Sequence, residues 1–481
     1  MRAPRQGQVD VELVETVGDA EVPAAEPGAD WRELLRGVPA RAWVAAAAVV
    51  ALVAGVVVAV EWRADRAQAA RIARTDGLTA SLAEPLQELW RVPREGAVGV
   101  VGDVLVLYGG PGQGVLGVGT DDGVTRWEQP VGGSGWCWVE RVGAEDERAT
   151  VWSGGIRQHE PGTAVLACSD TLGGGIDDLS RTEVTVMDPE RGDVLRRVDL
   201  GSTGSTAEVD DGVAVLGVDG EDRVVGSRWD ILTGERVWEY VGPRVDQDSS
   251  GTATSHDGST MTLRVGEVSV TLDLRTGRAV DTAGGGRPVT QELDRLPLAD
   301  GGIAVSTAVD DERHEVVVHD EDGGLRFTTA GHALRPVADD GSAPRTLLLV
   351  SAKRPGIMAV DARTGDELWR SSISSWQVAV LAGLVVLRDQ QVLTAVDART
   401  GVTVWEHDDT APRTGVSLLT DGRRLLTPVQ VDGRTHLLTR DVETGREVWR
   451  APAPGADGYL DRLPDGRVLV VGRGETVVLA P

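Results

Sequence analysis

The residue groups that could do chemistry are few, and their spacing argues against most of it. His314-Glu315-Val-Val-Val-His319 resembles the zinc-protease pattern His-Glu-x-x-His, with one residue too many. The protease pattern needs both imidazoles on one helical face, four residues apart. Three valines favour a strand instead, where positions five apart face opposite ways. Gly112-Gln-Gly114-Val-Leu-Gly117 satisfies Gly-x-Gly-x-x-Gly, but a dinucleotide site needs a helix after the glycines. The chain continues instead as Leu116-Gly-Val-Gly-Thr-Asp-Asp-Gly123, which reads as a hairpin. Acidic pairs such as Asp121-Asp122, Asp210-Asp211 and Asp339-Asp340 lack the alternating spacing of a calcium loop and read as solvated turns. No Gly-x-Ser-x-Gly elbow occurs, and histidines 159, 256, 332, 407 and 436 are scattered. No catalytic residue, metal ligand or cofactor-binding residue is predicted.

The elements behind these groups follow a nine-residue signature, Asp-x-x-Thr-Gly-x-x-x-Trp. Its clean copies begin at Asp361, Asp397 and Asp441, with Gly365, Gly401 and Gly445 and then Trp369, Trp405 and Trp449. A fourth, far upstream, carries Asp230, Gly234 and Trp238. Each comes after an apolar or alternating run, such as Val392-Leu-Thr-Ala-Val396, and precedes another alternating run. That is strand, tight turn, strand. The Asp carboxylate can accept backbone N–H groups of the turn, and Gly takes the positive-φ position. The Trp lands on the returning strand with a large apolar face to bury. One hairpin cannot bury it, but a neighbouring copy can.

Weaker copies occur at Asp188-Pro-Glu-Arg-Gly192, Asp273-Leu-Arg-Thr-Gly277 and Asp320-Glu-Asp-Gly-Gly324, and Asp122-Gly123 is followed by Trp127. Turn glycines 123, 192, 234, 277, 324, 365, 401 and 445 recur, after one overlong interval, roughly every 36–47 residues. That is the period of a four-stranded propeller blade. The chain's two cysteines, Cys137 and Cys168, both fall in the overlong interval. Two thiols confined to one insertion predict a local disulfide in an oxidising compartment, and the absence of Cys-x-x-Cys argues against zinc.

Ala359-Val-Asp361-Ala-Arg-Thr-Gly365 and Ala395-Val-Asp397-Ala-Arg-Thr-Gly401 resemble the repeat of the pyrroloquinoline-quinone-like β-propeller superfamily. That superfamily includes quinoprotein alcohol dehydrogenases and assembly lipoproteins of the BamB type. The resemblance covers about residues 90–481 and implies radial blades with each Trp docked between neighbours. The dehydrogenases hold their quinone with an adjacent Cys-Cys disulfide, a stacking Trp and a calcium bound by Glu, Asn and Asp. This chain has no adjacent cysteines and no Asn at all, so it is BamB-like rather than dehydrogenase-like, and no cofactor is expected.

The 481 residues carry a formal charge of −27 with Lys353 the only lysine, which disfavours nucleic acid and anionic lipid as partners. Residues 1–42 read as an acidic disordered tail. Residues 43–60 are free of charge and long enough to cross a bilayer as one helix, with Trp43 and Trp62 as interfacial anchors. The forty-residue acidic leader suits an uncleaved signal-anchor better than a signal peptide. Arginines flank the span on both sides, so charge does not set its orientation. The propeller is placed outside the cytoplasmic membrane on the cysteine pair and on the resemblance.

Residues 61–89, rich in Ala and Arg, are read as a helical stalk. Glu88-Leu-Trp90-Arg-Val92 then resembles an outer strand with no turn before it, while the C-terminus offers strands without such a partner. Joining the two ends closes the ring. The expectation over 90–481 is an all-β propeller of about eight four-stranded blades, nine if the split terminal unit is counted separately, preceded by one transmembrane helix. Its function is expected to be binding or scaffolding for a protein partner at the propeller loops. The alternatives are a quinone-dependent envelope dehydrogenase and a transmembrane sensor. The insertion at 130–182 is the candidate recognition loop, with Trp136 and Trp138 supplying apolar contact area.

Overall fold

The computed structural model describes residues 66–481, apart from short loop segments of which 142–155, 173–180 and 281–290 are the longest, together with positions 52, 56 and 63. The chain divides into two units, Met1–Ala67 and Gln68–Pro481, and every described sheet lies in the second. The predicted tail lies outside the described residues. So does the predicted membrane span, except Leu52 and Val56, which are helical and exposed. Among the described residues no helix is long and apolar enough to cross a membrane.

The expected helical stalk is cut short. The helix ends at residue 72, Gly77 turns the backbone with φ +83°, and residues 78–86 run without helix or strand. The cause is packing rather than propensity. A Cβ on Gly77 would lie 2.3 Å from the Val337 carbonyl oxygen, so this stretch is pressed onto the sheets and cannot project as a helix.

Nine sheets form among the described residues, each a run of four antiparallel strands. In chain order they span residues 97–129, 137–199, 204–244, 252–280, 291–330, 332–371, 377–408 and 419–452. The ninth draws on both ends of the chain. Its strands are Tyr459–Arg462, Val468–Gly472, Glu475–Ala480 and then Gln87–Val92, in that order. Trp90 stands opposite Val478 and Val92 opposite Thr476. The repeat therefore supplies eight units, and the split unit makes nine. The smaller count of eight does not hold.

The burial pattern explains each strand's place. Leu384–Arg388 is buried at every position, as is Val468–Gly472. Such unbroken burial suits strands covered on both faces. Thr403–Asp408, last in its sheet, buries only Trp405, and Thr125–Gln129 buries only Trp127. These two final strands are thus polar edges that each carry one buried indole.

Among the described residues, successive sheets share apolar clusters at every junction but that of the fourth and fifth units. Val104 and Val106 of the first unit meet Leu166 and Met187 of the second, and Val184 and Val186 meet Val213 and Val215 of the third. Ala214 and Leu216 of the third unit, on the other face of the same strand, meet Leu263 and Leu272 of the fourth. Ala304 and Val318 of the fifth unit meet Leu347 and Leu349 of the sixth. Leu348 meets Val378 and Val385 of the seventh, and Leu381 meets Leu425 of the eighth. Leu426 and Leu437 then meet Leu460 and Val470 of the split sheet, whose other side packs Val478 against Leu105 of the first unit. Apart from the junction of the fourth and fifth units, the order of packing is the order of the sequence, and the last sheet packs against the first. The architecture is all-β and propeller-like.

Two short strands tie neighbouring units together. Gln158–His159, from the insertion, pairs in parallel with Val100 and Val101 of the first unit. Ala338–Asp339 pairs in parallel with Ala379 and Val380 of the seventh.

Candidate functional site

Each signature turn is built from its own residues. In Asp397–Gly401 the Gly401 N–H donates to the Asp397 carbonyl at 2.8 Å, and the Asp397 N–H donates to the Val402 carbonyl at 2.9 Å. The Asp397 carboxylate accepts the Thr400 amide and hydroxyl, both at 2.8 Å, and the Arg399 amide at 3.1 Å. The Thr400 hydroxyl and amide hold this carboxyl below its ordinary range, against a smaller opposing effect of burial. At Asp361 burial pushes up, but the Arg363 amide and the Arg345 guanidinium outweigh it and the carboxyl is lowered. Asp230 accepts the Leu232 and Thr233 amides at 2.8 and 2.9 Å, and Asp441 accepts the Thr444 amide at 2.9 Å.

The tryptophans lock one unit to the next. Trp369 donates its indole N–H to the Ala398 carbonyl at 2.9 Å, Trp405 to Val442 at 2.9 Å, and Trp238 to Leu274 at 3.0 Å. In each case the acceptor is the residue after the Asp of the next unit's turn, and the ring lies over that turn's glycine. A Cβ on Gly401 would come within 2.5 Å of Trp369, and one on Gly445 within 2.7 Å of Trp405. Trp90 and Trp127 repeat the arrangement, donating to Thr120 at 2.9 Å and Pro189 at 3.0 Å.

Three substitutes in this scheme escape the signature. Phe327 covers Gly365, and the Arg196 side chain covers Gly234. Trp449 donates instead to Leu82, at 2.8 Å. Leu82 is fully buried, and its own N–H donates to the Asp421 carboxylate at 2.8 Å. The stretch before the split strand thus takes the place of the turn that the ninth unit lacks. Thr79 and Ala80 reinforce it by donating to the carbonyls of Thr420 and Gly466 at 2.8 and 2.7 Å. Only the shortened turn before Phe327 left a trace in the sequence, as the aromatic four residues beyond Gly323.

Cys137 and Cys168 form a disulfide. They are direct partners on the adjacent antiparallel strands Cys137–Arg141 and Ala164–Leu172. The bond therefore pins the base of the insertion. Trp138 is not a recognition residue: it is buried, and it packs with Val184, Val186 and Leu200 between the second and third units. Its strand position, one residue after Cys137, turns it inward. Trp136 lies outside the described residues.

Polar groups are also buried where no motif announced them. Arg440 makes two 2.8 Å bonds to the Asp409 carboxylate, and both side chains are buried. Arg388, almost fully buried, donates to the Pro428 carbonyl at 3.2 Å, and burial lowers its pKa. A cavity of about 30 Å³ lies beside Gly77, Gln377, Leu460, Asp461 and Arg462. Burial pushes the Asp461 carboxyl up to about 6, against the Arg462 amide and charge. A space of this size takes about one water. It does not fit a tricyclic quinone, and the disulfide joins cysteines 31 residues apart rather than neighbours. His314 and His319 lie on the strand Arg313–His319.

Repeated strand–turn–strand units locked by indoles define a propeller-type repeat protein. Residues 312–480 match the family model described as outer membrane protein assembly factor BamB. No curated protein matches the chain in sequence. Among solved structures, BamB from Moraxella catarrhalis is similar at 16% identity, with 82% of this chain and 100% of that chain covered and a TM-score of 0.42. A europium-containing methanol dehydrogenase is similar at 14% identity, covering 80% of this chain and 84% of that one, with a TM-score of 0.37.

Proposed function

We propose that the protein is a single-pass membrane protein whose extracytoplasmic propeller binds or scaffolds a protein partner. The observation that carries this reading is the serial docking of indoles onto the next unit's turn, ending at Trp449 and Leu82. Such locking makes a rigid body that leaves variation to its rims, where recognition is built. In this reading the nine sheets form a closed ring. The uncharged run 43–60 is the anchor. The Cys137–Cys168 disulfide suits an oxidising compartment. The family description of the matched residues, an outer membrane protein assembly factor, points to an envelope setting and a protein partner. The insertion within 130–182, pinned by the disulfide, is the recognition loop, with Trp136 as its candidate contact.

Proximity labelling from a labelling enzyme fused after Pro481 tests both parts. Recovery of envelope proteins, lost when residues 142–155 are deleted, is the expected result. Labelling of cytosolic proteins overturns the placement, and labelling unchanged by the deletion overturns the role of the insertion.

A further inference from the structure

In a sheet of four antiparallel strands, the turn joining the first two and the turn joining the last two lie at the same end. The stretch 68–82 runs along that signature-turn end. Gln68 donates to Glu443 in the eighth unit's signature turn at 3.4 Å. Arg71 meets the buried Asp340 carboxylate at 3.5 Å, in the connection between the first two strands of the sixth unit. Ile72 covers Gly422, where an added Cβ would lie 2.8 Å away. Thr79 and Ala80 then donate to Thr420 and Gly466, beside the first turns of the eighth and split units.

The insertion of the second unit leaves from the same end. Arg141 and Ala164, paired at the ends of that unit's first two strands, are its root. Its returning limb rests on neighbouring turns. The Gly102 N–H, in the first turn of the first unit, donates to the His159 carbonyl at 3.1 Å. The Gly162 N–H donates to the Glu190 carboxylate, in the second unit's signature turn, at 2.8 Å. Limb and stretch converge on one residue of the split sheet: the Ile156 amide donates to the Asp461 carboxylate, and Gly77 lines the small cavity beside Asp461.

Chain length then decides which end a bilayer would meet. Residues 61–67 alone separate Gln68 from the uncharged run 43–60, and so short a tether spans at most about 25 Å fully extended. The other end lies a strand further off. Arg424–Val431, which runs from one end to the other in the eighth unit, has eight residues, a length of about 26 Å.

We propose that the signature-turn end is turned toward the bilayer that carries the anchor, and that the partner met there is an integral membrane protein of that same bilayer. This rests on the anchored scaffold reading and names the partner's class. The size of the gap selects it. A small folded domain is about 30 Å across, more than the tether allows between this end and the lipid, so a soluble partner does not fit. Short loops of a protein already embedded in the bilayer do fit, and they lie beside the limb that returns through Gln158–His159.

Two exposed residues report on the two ends, Glu160 on the returning limb and Asp432 in the turn beyond Val431. In full-length protein reconstituted into bilayers, a donor dye on Glu160→Cys is expected to transfer energy to headgroup acceptors at least threefold more than one on Asp432→Cys. Equal or reversed transfer overturns the orientation. A photo-crosslinking residue in place of Glu160 in intact cells is then expected to capture a protein that stays with the membrane through alkaline carbonate extraction, with no such product from Asp432. A captured protein that carbonate releases, capture from Asp432 alone, or capture from neither position overturns the partner class. Protease added outside sealed, right-side-out vesicles tests the anchored reading separately. Digestion of the propeller there leaves that reading standing when the orientation or the partner class fails.

Discussion

The indole N–H of Trp449 donates to the carbonyl of Leu82, a residue 367 positions earlier, at 2.8 Å. The bond takes the place of the turn contact that the other docking tryptophans make with the next unit. Removing the ring removes a buried aromatic and one bond together. W449A is expected to destabilise by about 3–5 kcal/mol, and W449F by less, because a ring remains. Urea unfolding of the purified protein measures both.

Gly401 and Gly383 separate strain from crowding. Both have positive φ, +69° and +77°, but only Gly401 faces a ring, with Gly383 open. G383A is expected to cost about 1–2 kcal/mol, the left-handed penalty alone. G401A is expected to cost more, since Trp369 must also move. Equal losses in thermal melts of the two variants count against docking at this turn.

Acid acts on the signature turns. Asp397, held mainly by Thr400, has a folded pKa below its unfolded value of about 3.9. The stabilisation is present above that unfolded value and fades as pH falls through the folded one. D397N is therefore expected to flatten the acid limb of the stability profile below about pH 4.

Asp461 works in the opposite sense. Burial raises its folded pKa to about 6, so its contribution is complete below the unfolded value and is lost as pH rises through about 6. D461N is expected to be more stable than the parent above about pH 6, with the advantage shrinking toward about pH 4. Denaturation midpoints across that range decide the matter.

The disulfide closes a loop of 31 residues. Loop-closure entropy assigns such a link about 3–4 kcal/mol. C137S/C168S is expected to lose about that much in denaturant unfolding under oxidising conditions, with wild type matching it once reduced.

The repeat was legible because a tight turn constrains residue type. Asp, Thr and Gly each answer a specific backbone need in the turn, and Trp answers the need to bury the returning strand. The split sheet was legible for the same reason: Glu88-Leu-Trp90-Arg-Val92 has an outer strand's composition and no turn of its own. Leu82 was not, because its docking role uses a carbonyl that any residue carries. Trp138 misled because an aromatic beside a cysteine looks the same whether its strand turns it inward or outward. Arg388 and Arg440 were hidden because burial of a guanidinium depends on the neighbouring sheet.

The sheet built from both termini also orders events during synthesis. Gln87–Val92 is made before its partner strand Glu475–Ala480, with the strands of all eight other sheets made between them. At about 5–20 residues per second, that first strand spends tens of seconds with no partner. An edge left waiting so long invites pairing with other nascent chains, so the yield of correctly assembled protein should depend on how well the cell shields that single strand until Glu475–Ala480 has been made.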